Sequence, residues 1–173
     1  MSFLQRLFGE TKQRAALMPF YRALVEIGRD PDWYRDGEVP DTLDGRFDMV
    51  AAVTALALLR LESEGETGKL PSVLLTEIFI DDMDGTLRPI GIGDYVVGKH
   101  VGRMVGALGG RLGAFRDGAE AGSLADAVRR NVFHDSPPSE EKVDFVARRL
   151  ERLRQALAET ELASLYEGKV PRP

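Results

Sequence analysis

Two aspartates stand two residues apart in IFIDDMDGTL, residues 78–87: Asp82 and Asp84, followed at once by Gly85 and Thr86. In a D-x-D-G-T pattern the first carboxylate can attack a phosphoryl group while the second handles the leaving-group proton, with magnesium neutralising the phosphate. That chemistry needs a platform: both carboxylates must project from the carboxyl edge of a parallel sheet, at the end of a buried strand. The preceding LPSVLLTEI does not read as such a strand. Pro71 sits where a first helical turn tolerates it, and Thr76 and Glu77 interrupt the apolar run that a buried strand requires. The context is a helix followed by a loop, with Asp81, Asp82 and Asp84 as a solvated helix end and Gly85 as its terminator.

The pattern nonetheless resembles the signature of the haloacid dehalogenase superfamily, which implies a magnesium-dependent phosphatase using Asp82 and Asp84. That superfamily also carries a serine or threonine, a lysine and a second acidic pair on later strands. Here 89 residues remain after Asp84, all with helical patterning, and Asp94 follows too soon for an intervening strand and helix. A second near-match, GDYVVGKH from Gly93 to His100, approaches the G-x-x-x-x-G-K-[ST] phosphate loop. His100 takes the place of the magnesium-binding hydroxyl, and no apolar strand precedes Gly93.

The elements around these residues are helical almost throughout. Helices are expected near 11–28, 44–63, 70–83, 92–116, 120–133 and 139–165, separated by Gly9, Gly28, Gly65, Gly68, Gly118 and the pair Pro137 and Pro138. The fold class is all-α: an irregular single-domain bundle of about six helices over 11–168, with an amphipathic segment at 1–10 and a flexible tail at 169–173. The helix from 44 starts at Asp44 as its N-cap and is apolar nearly all round from Met49 to Leu59, which places it at the centre of the core. In the last helix, Val143, Val146, Leu150, Leu153 and Leu157 form a seam that packs on its own domain or in a short coiled coil, the former being favoured.

A chain of 173 residues with 43% hydrophobic and 29% charged residues can bury one substantial core. Its net charge of −5 disfavours nucleic acid, whose phosphates call for basic surfaces. With no cysteine there is no disulfide and no thiolate metal site, and two histidines do not make a three-histidine zinc centre. No metal or cofactor is expected. The longest apolar run, Met49 to Leu59, is about half of the ~20 residues a membrane span needs. No secretory signal is read at the N-terminus, and MSFLQRLFG instead sets Phe3, Leu4, Leu7 and Phe8 at helical spacing beside Arg6, Lys12 and Arg14. These four are membrane-contact candidates; packing on the domain is the alternative.

Residues 91–118 hold nine of the 18 glycines, and Gly98, Gly102, Gly106 and Gly110 recur every four residues within a helical pattern. Each interior glycine costs roughly 1 kcal/mol relative to alanine, so something must offset the stripe. Close approach of another helix does so. A helix of the same fold is the favoured neighbour and an exposed groove for a partner's helix the alternative. Lys99, Arg103 and Arg111 keep the segment out of a bilayer.

Two blocks, VPDTLDGRFDMV at 39–50 and DDMDGTLRPIGIGDYVVGKHVGRM at 81–104, resemble the ubiquinol-cytochrome c reductase assembly chaperone family of alphaproteobacteria and mitochondria. The resemblance runs from about Phe20, through YRALVEIGRDPDWY, to NVFHD at 131–135. Asp82, Met83, Asp84, Leu87, Arg88, Gly91, Gly93, Asp94, Val97, Gly98 and Lys99 match its second block, so Gly85 and Thr86 complete the phosphatase-like pattern by coincidence. Pro89 and Ile90 depart from the acidic residue and methionine usual there. The resemblance implies an all-α, non-enzymatic factor that binds newly made cytochrome b and supports its insertion into the assembling complex, from the cytoplasmic face of a bacterial inner membrane or from a mitochondrial matrix. Gly98, Gly102, Gly106, Gly110, Arg88, Asp94 and Lys99 are the candidate client-binding residues; internal pairing is the other reading of the last three. An adaptor for a different membrane protein remains an alternative. Trp33 and Tyr34 read as a lid on the core, and Asp41 with Arg46 as the pair that shapes the start of the central helix.

Overall fold

The structure, a computed structural model, describes residues 3–87 and 94–173, with side chains over 12–85, at 102 and from 104 onward. Its helices are α1 (Phe3–Gly28), α2 (Pro31–Arg35), α3 (Leu43–Glu62), α4 (Glu66–Leu87), α5 (Asp94–Glu120), α6 (Ala125–Asn131), α7 (Glu140–Glu159) and α8 (Leu162–Tyr166). No strand occurs among the described residues, so the all-α expectation holds.

The apolar run of α3 forms the hub. Met49 to Leu58 are all buried, and α3 packs against α1, α4, α5 and α7. Its N-cap is Thr42, whose hydroxyl accepts from the Gly45 amide at 3.1 Å, and Asp44 lies in the first turn instead. Arg46 donates to Asp41 at 2.7 Å across that helix start, as the pairing of the two suggested. At the α1–α3 crossing, a Cβ on Gly28 would stand 2.8 Å from the Val50 backbone, so the two helices meet only because position 28 has no side chain.

Several boundaries differ from those read in the sequence. α1 runs unbroken from Phe3, through Gly9 and Pro19, to Gly28. α4 begins at Glu66, immediately after Gly65 turns the chain with φ +62°, and Pro71 therefore lies inside the helix rather than in its first turn. Gly85 is interior to α4 and does not end it; one glycine weakens a helix by only about 1 kcal/mol, less than its neighbours' backbone bonds and packing restore. α5 continues to Glu120, and Gly122 at φ +79° turns the chain before the shorter α6. The last helix divides at Thr160 and Glu161, both extended.

Ser139 caps α7 by accepting from the Lys142 amide, and Val143, Val146, Leu150, Leu153 and Leu157 are all fully buried against the rest of the fold. That seam belongs to the domain's own core. Trp33 is no lid: it is fully buried, donates from Nε1 to the Ile27 carbonyl at 2.6 Å, and lies under the Arg149 guanidinium at 4.3 Å. Tyr34 is half-buried, bonds the Gly28 carbonyl at 2.8 Å, and has its hydroxyl pushed up to about 12 by burial. After α8 the chain returns over the core, where Val170 packs and Arg149 donates to the Pro173 carbonyl at 3.3 Å.

Candidate functional site

The glycine-bearing helix α5 has two opposite faces. Met104, Leu108, Arg111 and Phe115 follow the i, i+4, i+7, i+11 spacing of one helix face, and all four are buried. Gly102, Gly106, Gly109 and Gly113 repeat the same spacing two residues earlier, which at 100° per residue puts them on the far side. Among the described residues, a Cβ built on any of these four, or on Gly110, would meet nothing within 4 Å. For Gly102, Gly106 and Gly110 the favoured expectation of close packing within the fold is therefore overturned: the inward face is made of large side chains, and among the described residues these glycines look outward over open space, while the surroundings of Gly98 lie outside the described set. The strict four-residue period also drifts around the helix by 40° per step, so Gly109 and Gly113, rather than Gly110, continue the stripe. Val105, 44% exposed, flanks it.

A polar anchor joins the buried Met104, Leu108 and Phe115 in holding α5 in this orientation. Arg111, only 6% exposed, donates through Nη2 to Asp48 of α3, itself 4% exposed, and to the Asn131 carbonyl at 3.2 Å. His134 Nε2 lies 2.7 Å from the other Asp48 oxygen. Arg111 also lies 5.6 Å over the Phe47 ring, while its Nε has no hydrogen-bond partner among the described residues. Burial pushes the Asp48 carboxyl above the usual carboxylate range, although His134 and Arg111 pull the other way, and burial lowers the Arg111 guanidinium. His134 and Asp135 both adopt positive φ, +49° and +60°, so the corner after α6 is bent to deliver the imidazole. In the sequence Arg111 stands out only as a barrier to bilayer insertion. A carboxylate at the start of the apolar run and a guanidinium among glycines were the available signal for the pair.

The remaining candidates are dispersed. Arg88 lies outside the described residues. Asp94, Gly98 and Lys99 fall in the first two turns of α5, and Phe3, Leu4, Leu7 and Phe8 in the first turns of α1, with side chains outside the described set. Asp82 and Asp84 belong to helix α4, not to a strand end; Asp82 accepts from the Tyr21 hydroxyl at 2.8 Å, and burial, then that bond, holds the phenol well above its ordinary range. Gly93 lies outside the described residues, and Asp94 to His100 are helical, so the near-match to a phosphate loop has no loop there to form it. Among the described residues no group of three acidic, histidine or cysteine side chains could hold a metal, and no helix is long and apolar enough to cross a membrane.

These features define a helical protein with one bare helix face, whose described residues lack the sheet that a phosphatase of the suspected type needs. Comparison with known proteins places it further. Residues 35–172 match the family described as ubiquinol-cytochrome C chaperone, and the chain belongs to that family. It is 22% identical over 152 residues to the mouse (Mus musculus) ubiquinol-cytochrome c reductase complex assembly factor 1; the match covers 84% of this chain and 52% of that protein, so the chain spans about half of its relative's length. The fold is similar to the crystal structure of the Cbp3 homolog from Brucella abortus, with a TM-score of 0.81 and 26% identity over 99% of this chain and 97% of that one.

Proposed function

We propose that this chaperone binds newly synthesised cytochrome b during biogenesis of ubiquinol-cytochrome c reductase, acts without catalysing a reaction, and presents the outward face of α5 to an apolar client helix. The observation that supports this reading is the opposition of faces in α5: a stripe of open glycine backbone, backed by large buried side chains and a buried ion pair. Client helices lacking charge gain little from polar surfaces, whereas bare backbone lets two helices approach closely enough for van der Waals packing and Cα–H contacts. Asp94 and Lys99 in the first turns of α5, with Arg88 preceding them in the sequence, would meet the polar end of such a client. Phe3, Leu4, Leu7 and Phe8 would rest on the cytoplasmic surface of a bacterial inner membrane, or its mitochondrial equivalent, close to where the client emerges.

The test is co-purification of the tagged protein from its host in mild detergent, with and without Gly102→Leu and Gly106→Leu. Cytochrome b should be enriched by the native chain and lost from the double variant, with helix content by circular dichroism unchanged, because both positions face open space. Enrichment of another membrane protein in place of cytochrome b would replace the client, and retention by the double variant would remove the face.

A further inference from the structure

The groove between α1 and α4 plays no part in that reading. It is a cavity of about 590 Å³ with Met18, Val25 and Ile78 as its apolar lining. Arg14, Arg22 and Arg29 reach it from α1 and the residue just after, at spacings of eight and seven, which keeps them along one side of the helix. The carboxylates in the groove are already engaged. Asp81 takes the Arg14 guanidinium, Asp82 accepts from Tyr21 at 2.8 Å, and Glu26 meets Arg172 at 3.4 Å. Arg22 and Arg29, both exposed, form neither a side-chain hydrogen bond nor an ion pair among the described residues.

We infer that this groove binds an oxyanion with an apolar arm, a phosphate ester or phosphodiester whose head is held by Arg22 and Arg29 and whose arm lies on Met18, Val25 and Ile78. Guanidinium forks match phosphate oxygens two at a time, and charge-assisted bonds of that kind are the strong ones. A cationic ligand would have to approach Arg22 and Arg29, neither of which has a carboxylate partner among the described residues. A purely apolar one would strip water from both guanidiniums without replacing it. The same head group occurs on soluble phosphate esters and on anionic phospholipids, and the groove's chemistry is common to both.

Three probes separate the possibilities: inorganic phosphate, dihexanoyl phosphatidic acid kept below its micelle concentration, and phosphatidylglycerol-containing vesicles. Each is titrated against the native chain, the Arg22→Gln/Arg29→Gln variant, and Lys12→Gln as a control for general loss of charge. All three replaced side chains are exposed, and circular dichroism checks that the variants fold. The expected result is binding of the short-chain phosphatidate that weakens tenfold or more in the double arginine variant and is unmoved by Lys12→Gln. Vesicle sedimentation that falls in the same variant to the level the amphipathic N-terminal segment alone retains identifies a bilayer head group as the source, while binding of the monomeric ester with no such fall identifies a soluble one. Inorganic phosphate binding as tightly as the phosphatidate would remove the apolar arm from the proposal. Equal affinity in the native and double variant, or no binding of any probe, overturns the site.

Discussion

At the scale of single residues, the Asp48–Arg111 pair makes the sharpest predictions. Breaking a buried pair leaves an uncompensated charge, so Arg111→Met should lower stability by about 3–5 kcal/mol, whereas Asp48→Asn/Arg111→Met should recover most of that loss; urea unfolding of the native, single and double variants measures both. The pH dependence follows from the raised Asp48 carboxyl. A group that holds its proton more tightly when folded adds stability that is present below its unfolded value and is lost as pH rises through its folded value. An asparagine side chain does not titrate, so the stability gap between the native chain and Asp48→Asn should narrow from about pH 3.5 upward; unfolding free energies across that range check the sign. Asp82 and Asp84 teach the converse lesson. Their pattern was visible in the sequence, but a short local resemblance does not supply the sheet edge that gives such carboxylates their chemistry.

At the scale of elements, glycine has opposite effects in two helices. Gly28→Ala drives a methyl into the Val50 backbone and should destabilise by about 1–3 kcal/mol. Gly106→Ala and Gly109→Ala meet nothing and should each stabilise by up to about 1 kcal/mol, since alanine is the better helix former. Thermal unfolding of the three single variants should therefore move in opposite directions, and a fall at Gly106 would mean that the face is covered. The central helix and the α7 seam were legible because apolar periodicity is written locally, whereas the cap of the central helix was displaced from Asp44 to Thr42. Glycine and proline misled at the boundaries: Gly9, Gly68 and Gly85 sit inside helices because long-range burial of Leu17, Leu74 or Met83 outweighs a local penalty near ~1 kcal/mol. The direction in which the glycines of α5 face was not legible either. Spacing alone defines a stripe, and only the buried partners on its far side decide whether that stripe looks inward.

At the scale of the whole molecule, the core is organised around α3, and each long helix depends on that hub for its burial. Hydrogen exchange should rank the helices accordingly, with α3 amides opening only on global unfolding and the amides of α5 exchanging through smaller, sub-global openings. Equal protection in α3 and α5 would show the molecule opening as one unit. The reason lies in the seven glycines of α5, which together weaken the isolated helix by about 7 kcal/mol relative to alanine. Detached from α3 and the Arg111 anchor, α5 has no cause to remain helical. The bare stripe is therefore a property of the intact molecule and not of the peptide: a damaged or half-folded copy dissolves its own recognition surface, and so withdraws from competition for the partner that an intact copy would hold.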